Sequence, residues 1–309
     1  MNSSIEKPME RTTIAHFGDI HIAAETGEVA AFRRFFGKRV LGTINLRFLG
    51  RQEKFSQARR RFRLLLEDIR ELSPDFVISS GDFSAMSFPV EFQIAHNLIT
   101  EILSPLLSNF AVIPGNHDRY TLGEVLSDHF GKYFEGWMQS DFRLPGVAAR
   151  FPYVRFVKER VALLFVDVVR FHPLALGKVT RKCLELVTRF LQSPELSTRK
   201  TMMILHYPPL RADGTKLSPS HRCVGIEKLV SLAAQYSVPA IWTGHVHQNY
   251  SLKIPDSDLY LINAGSGTHS EHSTYNMYTI SDVDLTIESR ILSSENNCFE
   301  KFDEKKIQL

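Results

Sequence analysis

The sequence predicts an α/β fold, and three observations carry that prediction. Short apolar runs of strand length alternate with amphipathic stretches of helical period. The first three runs follow a β-α-β-α-β order, which favours neighbouring parallel strands joined by right-handed crossovers. Five runs end in turns rich in Gly, Asp, Asn or His: Gly18-Asp19-Ile20-His21, Gly81-Asp82, Gly115-Asn116-His117-Asp118, His206-Tyr207-Pro208-Pro209 and Gly244-His245-Val246-His247. Open α/β sheets place their chemistry at the carboxyl ends of strands, so these turns mark one functional edge.

Taken in order, Thr12–Phe17 reads as the first strand. Residues 52–72 read as a helix, with Phe55, Ala58, Phe62, Leu65, Leu66 and Ile69 on one face and Ser73-Pro74 as the stop. Residues 76–80 form a second strand, 92–103 a second helix and 110–113 a third strand. Residues 121–137 read as short helix and loop over the site. A hairpin over 153–157 and 161–166 turns at Lys158-Glu159-Arg160. A helix over 180–191, a strand over 201–205, a helix over 225–236 and a strand over 239–242 follow. The runs 259–263, 275–280 and 285–291 read as antiparallel strands, and the polar tail from Ser293 as partly mobile. Nothing divides the 309 residues, so one domain is expected.

Hydrophobic residues make up 43% and charged residues 23% of the chain, an ordinary globular balance. The three cysteines, Cys183, Cys223 and Cys298, are far apart, which disfavours a disulfide framework or a thiolate metal site. Residues 1–13 lack the apolar core of a signal peptide, and no apolar run reaches the length of a membrane span. A cytoplasmic protein is expected, with room for peripheral contact at the inner face of the membrane.

The turns carry the chemistry. Asp19, His21, Asp82, Asn116, His206, His245 and His247 supply seven nitrogen or oxygen donors at five strand ends. That exceeds what one zinc ion takes, whereas two divalent cations sharing one carboxylate use the set and keep open positions. The mix of imidazole and carboxylate without thiolate suits manganese, iron or zinc better than calcium. A lone histidine is more often a packed residue, and His16, His96, His129 and His172 are read that way. His117 can move a proton near neutral pH, and Asp118 can orient its ring.

With all five turns in place, the chain resembles the calcineurin-like metallophosphoesterase superfamily. Its pattern runs Asp-x-His, Gly-Asp, Gly-Asn-His-Asp/Glu, His, Gly-His-x-His, and every element occurs here in order over residues 12–270. The resemblance implies a four-layer fold, with two mixed β-sheets packed as a sandwich between outer helices. It also implies that Asp19, His21 and His247 hold one metal, Asn116, His206 and His245 the other, and Asp82 both. His117 is then the catalytic histidine outside the metal shell, and Asn263-Ala264-Gly265-Ser266 is similar to the loop after the last motif.

Substrate is read from the surrounding sequence. Phe83-Ser84-Ala85-Met86 lacks the Asp-Arg-Gly of protein Ser/Thr phosphatases. Arg33 to Arg63 holds eleven Lys or Arg against Glu53, a net +10 in a chain of net +3, so the remainder is −7. Phe32, Phe35, Phe36, Leu41 and Leu46 interleave with those charges, a pattern of an anionic membrane surface or of core residues flanked by solvated charge. The basic-aromatic insertion at 32–63 resembles that of membrane-associated members that cleave UDP-2,3-diacylglucosamine to lipid X and UMP in lipid A synthesis. The common form carries Gly-Asn-Arg-Asp where this chain has His117, so the match is to a divergent form that keeps the histidine. A nucleotide-lipid pyrophosphate is therefore the expected substrate. A 3',5'-cyclic nucleotide or other soluble phosphodiester is the alternative, and a nuclease or a metal-bound scaffold are the opposing classes. Nucleic acid is not an expected partner.

Overall fold

A computed structural model describes residues 11–24, 57–120, 126–172 and 176–309. Its first half is built from β1 (Thr12–Phe17), α1 (Ala58–Leu72), β2 (Phe76–Ser79), α2 (Pro89–Ile102) and β3 (Phe110–Val112). β1 pairs in parallel with β2, and β2 with β3, as the alternation of elements requires. Phe62, Leu65, Leu66 and Ile69 fall on one face of α1 and are buried, while a left-handed Ser73 ends the helix. The expected start of this helix at 52–56 lies outside the described residues.

Next come α3 (His129–Phe134), β4 (Tyr153–Val157), β5 (Val161–Phe165), β6 (Gly177–Lys178), α4 (Arg181–Leu191), β7 (Lys200–Ile204), β8 (Cys223–Val224), α5 (Ile226–Gln235) and β9 (Ala240–Thr243). The chain continues through β10 (Asn249–Lys253), β11 (Tyr260–Ala264), β12 (Thr274–Ile280), β13 (Asp284–Leu292) and β14 (Phe299–Gln308). Two six-stranded mixed sheets result, ordered β14-β13-β12-β1-β2-β3 and β10-β11-β9-β7-β5-β4.

Burial alternates along the second sheet and explains its apolar strands. Leu163, Phe165, Met202, Ile204, Trp242 and Ile262 join the core that holds Ile14, Phe17 and Ile78 of the first sheet. The intervening Ala162, Leu164, Met203, Ile241 and Leu261 pack instead with Leu186, Val187 and Phe190 of α4 and Leu229 of α5. A strand covered on both faces must read as a continuous apolar run. Trp242 stacks on Tyr278 across the sandwich, with ring centroids 4.0 Å apart. His16 is a core residue as expected: Tyr278 Oη lies 2.9 Å from its Nδ1, and burial pushes its pKa down to about 3. The four layers are thus helices, sheet, sheet and helices.

Three expectations change. β11 lies in the second sheet, parallel to β9 and antiparallel to β10, and does not join β12 and β13. The polar tail after Ser293 is no mobile tail but carries β14, a ten-residue strand antiparallel to β13. Only Phe299 and Ile307 of β14 are buried, so hydrophobic alternation gave no signal; the ladder to β13 holds it. Within 126–137, α3 buries Phe130 and Phe134 near Phe83 and Phe92, a core contact where cover for the site was expected. Residues 121–125 lie outside the described residues, as does the basic-aromatic insertion up to residue 56.

Phe62 is fully buried, with its ring 5.7 Å from that of Phe17 on β1. Phe62→Ala is expected to lower the free energy of unfolding by about 3–5 kcal/mol through lost transfer energy and a cavity. Urea denaturation reads this as a lower midpoint at unchanged slope.

Candidate metal centre

The five turns predicted from sequence converge at the carboxyl ends of β1, β2, β3, β7 and β9. They hold one another. Asp19 N donates to Gly81 O at 2.8 Å, Ile20 N to Asp82 O at 2.8 Å, and Gly244 N to His206 O at 3.1 Å. The two sheets are also tied to each other here: His245 N donates to Asp19 Oδ2 at 2.8 Å. Asp19, His21, Asp82, His245 and His247 all adopt positive φ, between 50° and 75°. Such backbone is costly for residues with a Cβ, and it persists where neighbouring contacts over-determine it. Gly115 is needed for another reason, because a Cβ there would lie 2.1 Å from Asp82 Oδ1.

The side chains at these turns crowd lone pairs together. His206 Nδ1 donates to Ser80 O at 2.8 Å, which leaves Nε2 as a lone pair 3.0 Å from Asn116 Oδ1. His245 repeats this with its nitrogens exchanged: Nε2 donates to His221 O at 2.9 Å and Nδ1 lies 2.8 Å from Asn116 Oδ1. His21 Nε2 and His247 Nε2 are 3.0 Å apart, and His247 Nε2 is 3.3 Å from Asp19 Oδ1. That carboxylate oxygen is buried and has no hydrogen-bond partner. Donor atoms of Asp19, His21 and His247 lie within 4.8 Å of one another, as do those of Asp19, Asp82 and His206. Burial, and next the neighbouring His245, hold the pKa of His206 well below its usual value, so a neutral ring faces two buried carboxylates. Buried carboxylates need compensating charge. The donor set therefore fits divalent cations, and all seven residues predicted as ligands are brought together.

His117 stands beside this set, its ring edge-on to His21 with centroids 4.8 Å apart. One of its ring nitrogens is also within 4.8 Å of the donor atoms of His21 and Asp82. Its Nδ1 donates to Ala85 O at 2.8 Å, and its face stacks on Tyr120. Asp118, expected to orient that ring, does something else. Its carboxylate accepts from the amides of Asp82, Gly115 and Ser84 at 2.8, 2.9 and 3.0 Å, and from the Ser84 hydroxyl at 3.2 Å. Burial pushes its pKa up to about 6, while those donors pull the other way. Asp118 thus fixes the turns that present Asp82 and Asn116, and a backbone carbonyl orients the imidazole.

Sequence reading missed the supports of this loop. The hydroxyls of Ser84 and Ser87 both donate to His117 O, at 3.1 and 2.6 Å. Glu91 is buried and accepts from the amides of Ala24, Met86 and Phe88, which ties the loop to the chain after His21. Burial raises the Glu91 pKa to about 8 against those three bonds. A Glu three residues after the helix N-cap is a readable capping signal, but the carbonyls of Ala85 and His221 have no sequence signature at all. Asn263 donates to Gly244 O and Thr243 Oγ1, and Ser266 Oγ donates to Asp19 O, so the loop after β11 braces two ligand turns. A cavity of about 480 Å³ opens on the centre, with Asp82, Asn116, His117, His245 and His247 in its wall.

Fold and centre together define the class to which the chain belongs. The chain belongs to the calcineurin-like phosphoesterase family, whose model matches residues 12–249, and that family works with divalent metals. The chain is similar to a probable glycerophosphodiester phosphodiesterase, GpdQ, of Arcobacter nitrofigilis, at 27% identity over 176 residues. The match covers 57% of each, so it spans little more than half of that relative. Among solved structures, PhoD superposes with a TM-score of 0.57 at 8% identity, over 96% of this chain and 70% of its own. GAP50, the anchor in the inner membrane complex of Plasmodium, gives 0.54 at 14%, over 97% and 89%. These two likenesses concern the fold.

Replacing Asp118 by Ala would strand three buried amides, those of Asp82, Gly115 and Ser84. Each unsatisfied donor costs about 1–3 kcal/mol. Asp118→Ala is expected to lower the stability of metal-free protein by several kcal/mol, read by chemical denaturation. Unchanged stability would show that the carboxylate does not hold the turns.

Proposed function

We propose that the protein is a phosphodiester hydrolase working with two divalent cations. The observation that carries this reading is the convergence of imidazole, amide and carboxylate lone pairs from both sheets on one buried point, beside a histidine held differently. Asp19, His21 and His247 would hold one cation, Asn116, His206 and His245 the other, and Asp82 would serve both. Mixed nitrogen and oxygen donors without thiolate favour manganese, with iron and zinc as alternatives. Such ions supply Lewis acidity toward phosphoryl oxygens and a nucleophile from water at neutral pH.

The protein's own contribution is orientation and a proton. With Nδ1–H donated to Ala85 O, Nε2 of a protonated His117 is the atom that would give a proton to the leaving oxygen. Ser84 and Ser87 hold the His117 backbone through its carbonyl, while Ala85 O and the Tyr120 face orient the ring. Bond cleavage to a phosphodiester is further supported by the likeness to the Arcobacter enzyme.

The narrower reading is UDP-2,3-diacylglucosamine, with the 32–63 segment docked on anionic membrane from the cytoplasmic side. Its support is the charge of that segment, whose residues 32–56 lie outside the described ones. Four of the eleven basic residues are described and meet the protein itself: Arg59 reaches Ala23 O, Arg60 Asn297, Arg61 Ser270 O and Arg63 Glu101. Among the described residues no helix is long and apolar enough to cross a membrane. Turnover of UDP-2,3-diacylglucosamine with and without anionic liposomes, beside bis(p-nitrophenyl) phosphate and cyclic AMP, separates this reading from a soluble phosphodiester.

The decisive test of the chemistry is His117→Ala. Metal content by elemental analysis is expected to stay near that of the wild type, while kcat on bis(p-nitrophenyl) phosphate falls about 10²-fold or more. Loss of metal together with activity would make His117 a ligand. Asp82→Ala is expected to lose both metal and turnover.

A further inference from the structure

We propose that Arg211 is a specificity residue that binds a second anionic group of the substrate, beyond the phosphoryl group that reacts. The substrate class it selects is a pyrophosphate diester or similarly doubly charged phosphoester, in preference to a simple phosphodiester with neutral substituents. This rests on the reading of the centre as a phosphodiester hydrolase.

The argument begins with the cavity. Besides residues of the centre, the cavity is lined by Arg211, Ser218, His221 and Gln248. All four bring polar side chains, and Arg211 brings the permanent charge. A surface arginine on a convex face is ordinarily just solvated. Arg211 instead shares a concave space with Asp82, Asn116 and His117. Among the described residues its guanidinium makes no ion pair within 4.0 Å. Asp213 is close enough for Arg211 to lower its pKa, yet that carboxylate accepts from the amide and hydroxyl of Thr215 at 2.9 and 2.6 Å.

The backbone that carries Arg211 is held in place. Arg211 follows His206 by five residues, through Pro208 and Pro209, which restrict the chain. Its amide donates to Thr215 O at 2.8 Å, and Gly214 N donates back to Arg211 O at 3.0 Å, closing a tight turn. The base of that turn is pinned by Tyr250 Oη, which donates to Leu210 O at 2.6 Å. The far end of the same loop meets the centre directly, through the His245 bond to His221 O. The cation therefore stands on a segment anchored at both ends to strands or ligands of the centre. A planar guanidinium in such a place is suited to bidentate capture of phosphate or carboxylate. A substrate with one negative charge, consumed at the metal donors, leaves it nothing to bind.

The test compares two substrates across Arg211→Ala, Arg211→Lys and the wild type, with manganese present. UDP-glucose carries two phosphates, and bis(p-nitrophenyl) phosphate carries one. Arg211→Ala is expected to lower kcat/KM for UDP-glucose by about tenfold or more, chiefly through KM, the signature of lost binding shared by ground and transition states. Activity on bis(p-nitrophenyl) phosphate should stay within about twofold, and Arg211→Lys should restore part of the UDP-glucose loss. Equal effects on both substrates, or none on either, would overturn the assignment. So would a wild-type enzyme that turns over bis(p-nitrophenyl) phosphate but is neither a catalyst for UDP-glucose nor inhibited by it; the phosphodiesterase reading would then survive alone. Failure on both substrates with metal bound would instead sink that underlying reading.

Discussion

The Asp19 carboxylate is where the two halves of the protein meet. Its Oδ2 accepts from the backbone of His245, which belongs to the other sheet, while its Oδ1 stays buried without a partner. With the bonds of His206 to Ser80 O and of Ser266 to Asp19 O, this side chain ties the sandwich at that edge while one of its oxygens faces the cluster of donors. The arrangement needs Asp19 and His245 in left-handed backbone, and Gly244 beside them, since a Cβ there would fall 2.3 Å from Asp19 Oδ2. Strained turns of this kind survive because both sheets and the loop from Asn263 to Ser266 hold them from several sides.

A division of labour follows among the acids near the centre. Asp19 and Asp82 face the metal donors. Asp118 and Glu91 carry no such exposure; each is buried and is spent on three backbone amides. The turn that presents His117 is thereby rigid before any substrate arrives, which is the condition for a proton donor to act without reorganisation.

The parallel core and the candidate metal donors were legible because both obey short-range rules. Apolar runs ending in Gly-Asp, Gly-Asn-His or Gly-His-x-His announce a strand and its turn together, and all seven donors meet where those turns predict. What escaped was whatever depends on backbone or on distant pairing. The carbonyls of Ala85 and His221 orient catalytic-site rings without any residue preference. β11 carries the same apolar signature whether it pairs with β9 or with β12, and only tertiary context decides. β14 has two buried side chains in ten residues, so its existence depends on β13 rather than on its own pattern. The Asp118 carboxylate accepts from three backbone amides, partners that no residue type announces.

β14 has a further consequence for how the protein behaves in a crowd. A sheet edge is an open template for a foreign strand. Here that edge runs Glu300-Lys301-Phe302-Asp303-Glu304-Lys305-Lys306, almost wholly charged and exposed. A second chain attempting to extend the sheet would have to desolvate that run and match its mixed charges. The opposite edge, β3, offers only three residues before the chain leaves for the metal turn. The sheet is therefore poorly suited to templated, fibril-like growth from either side, a protection written in solvent-facing charge that contributes nothing to catalysis.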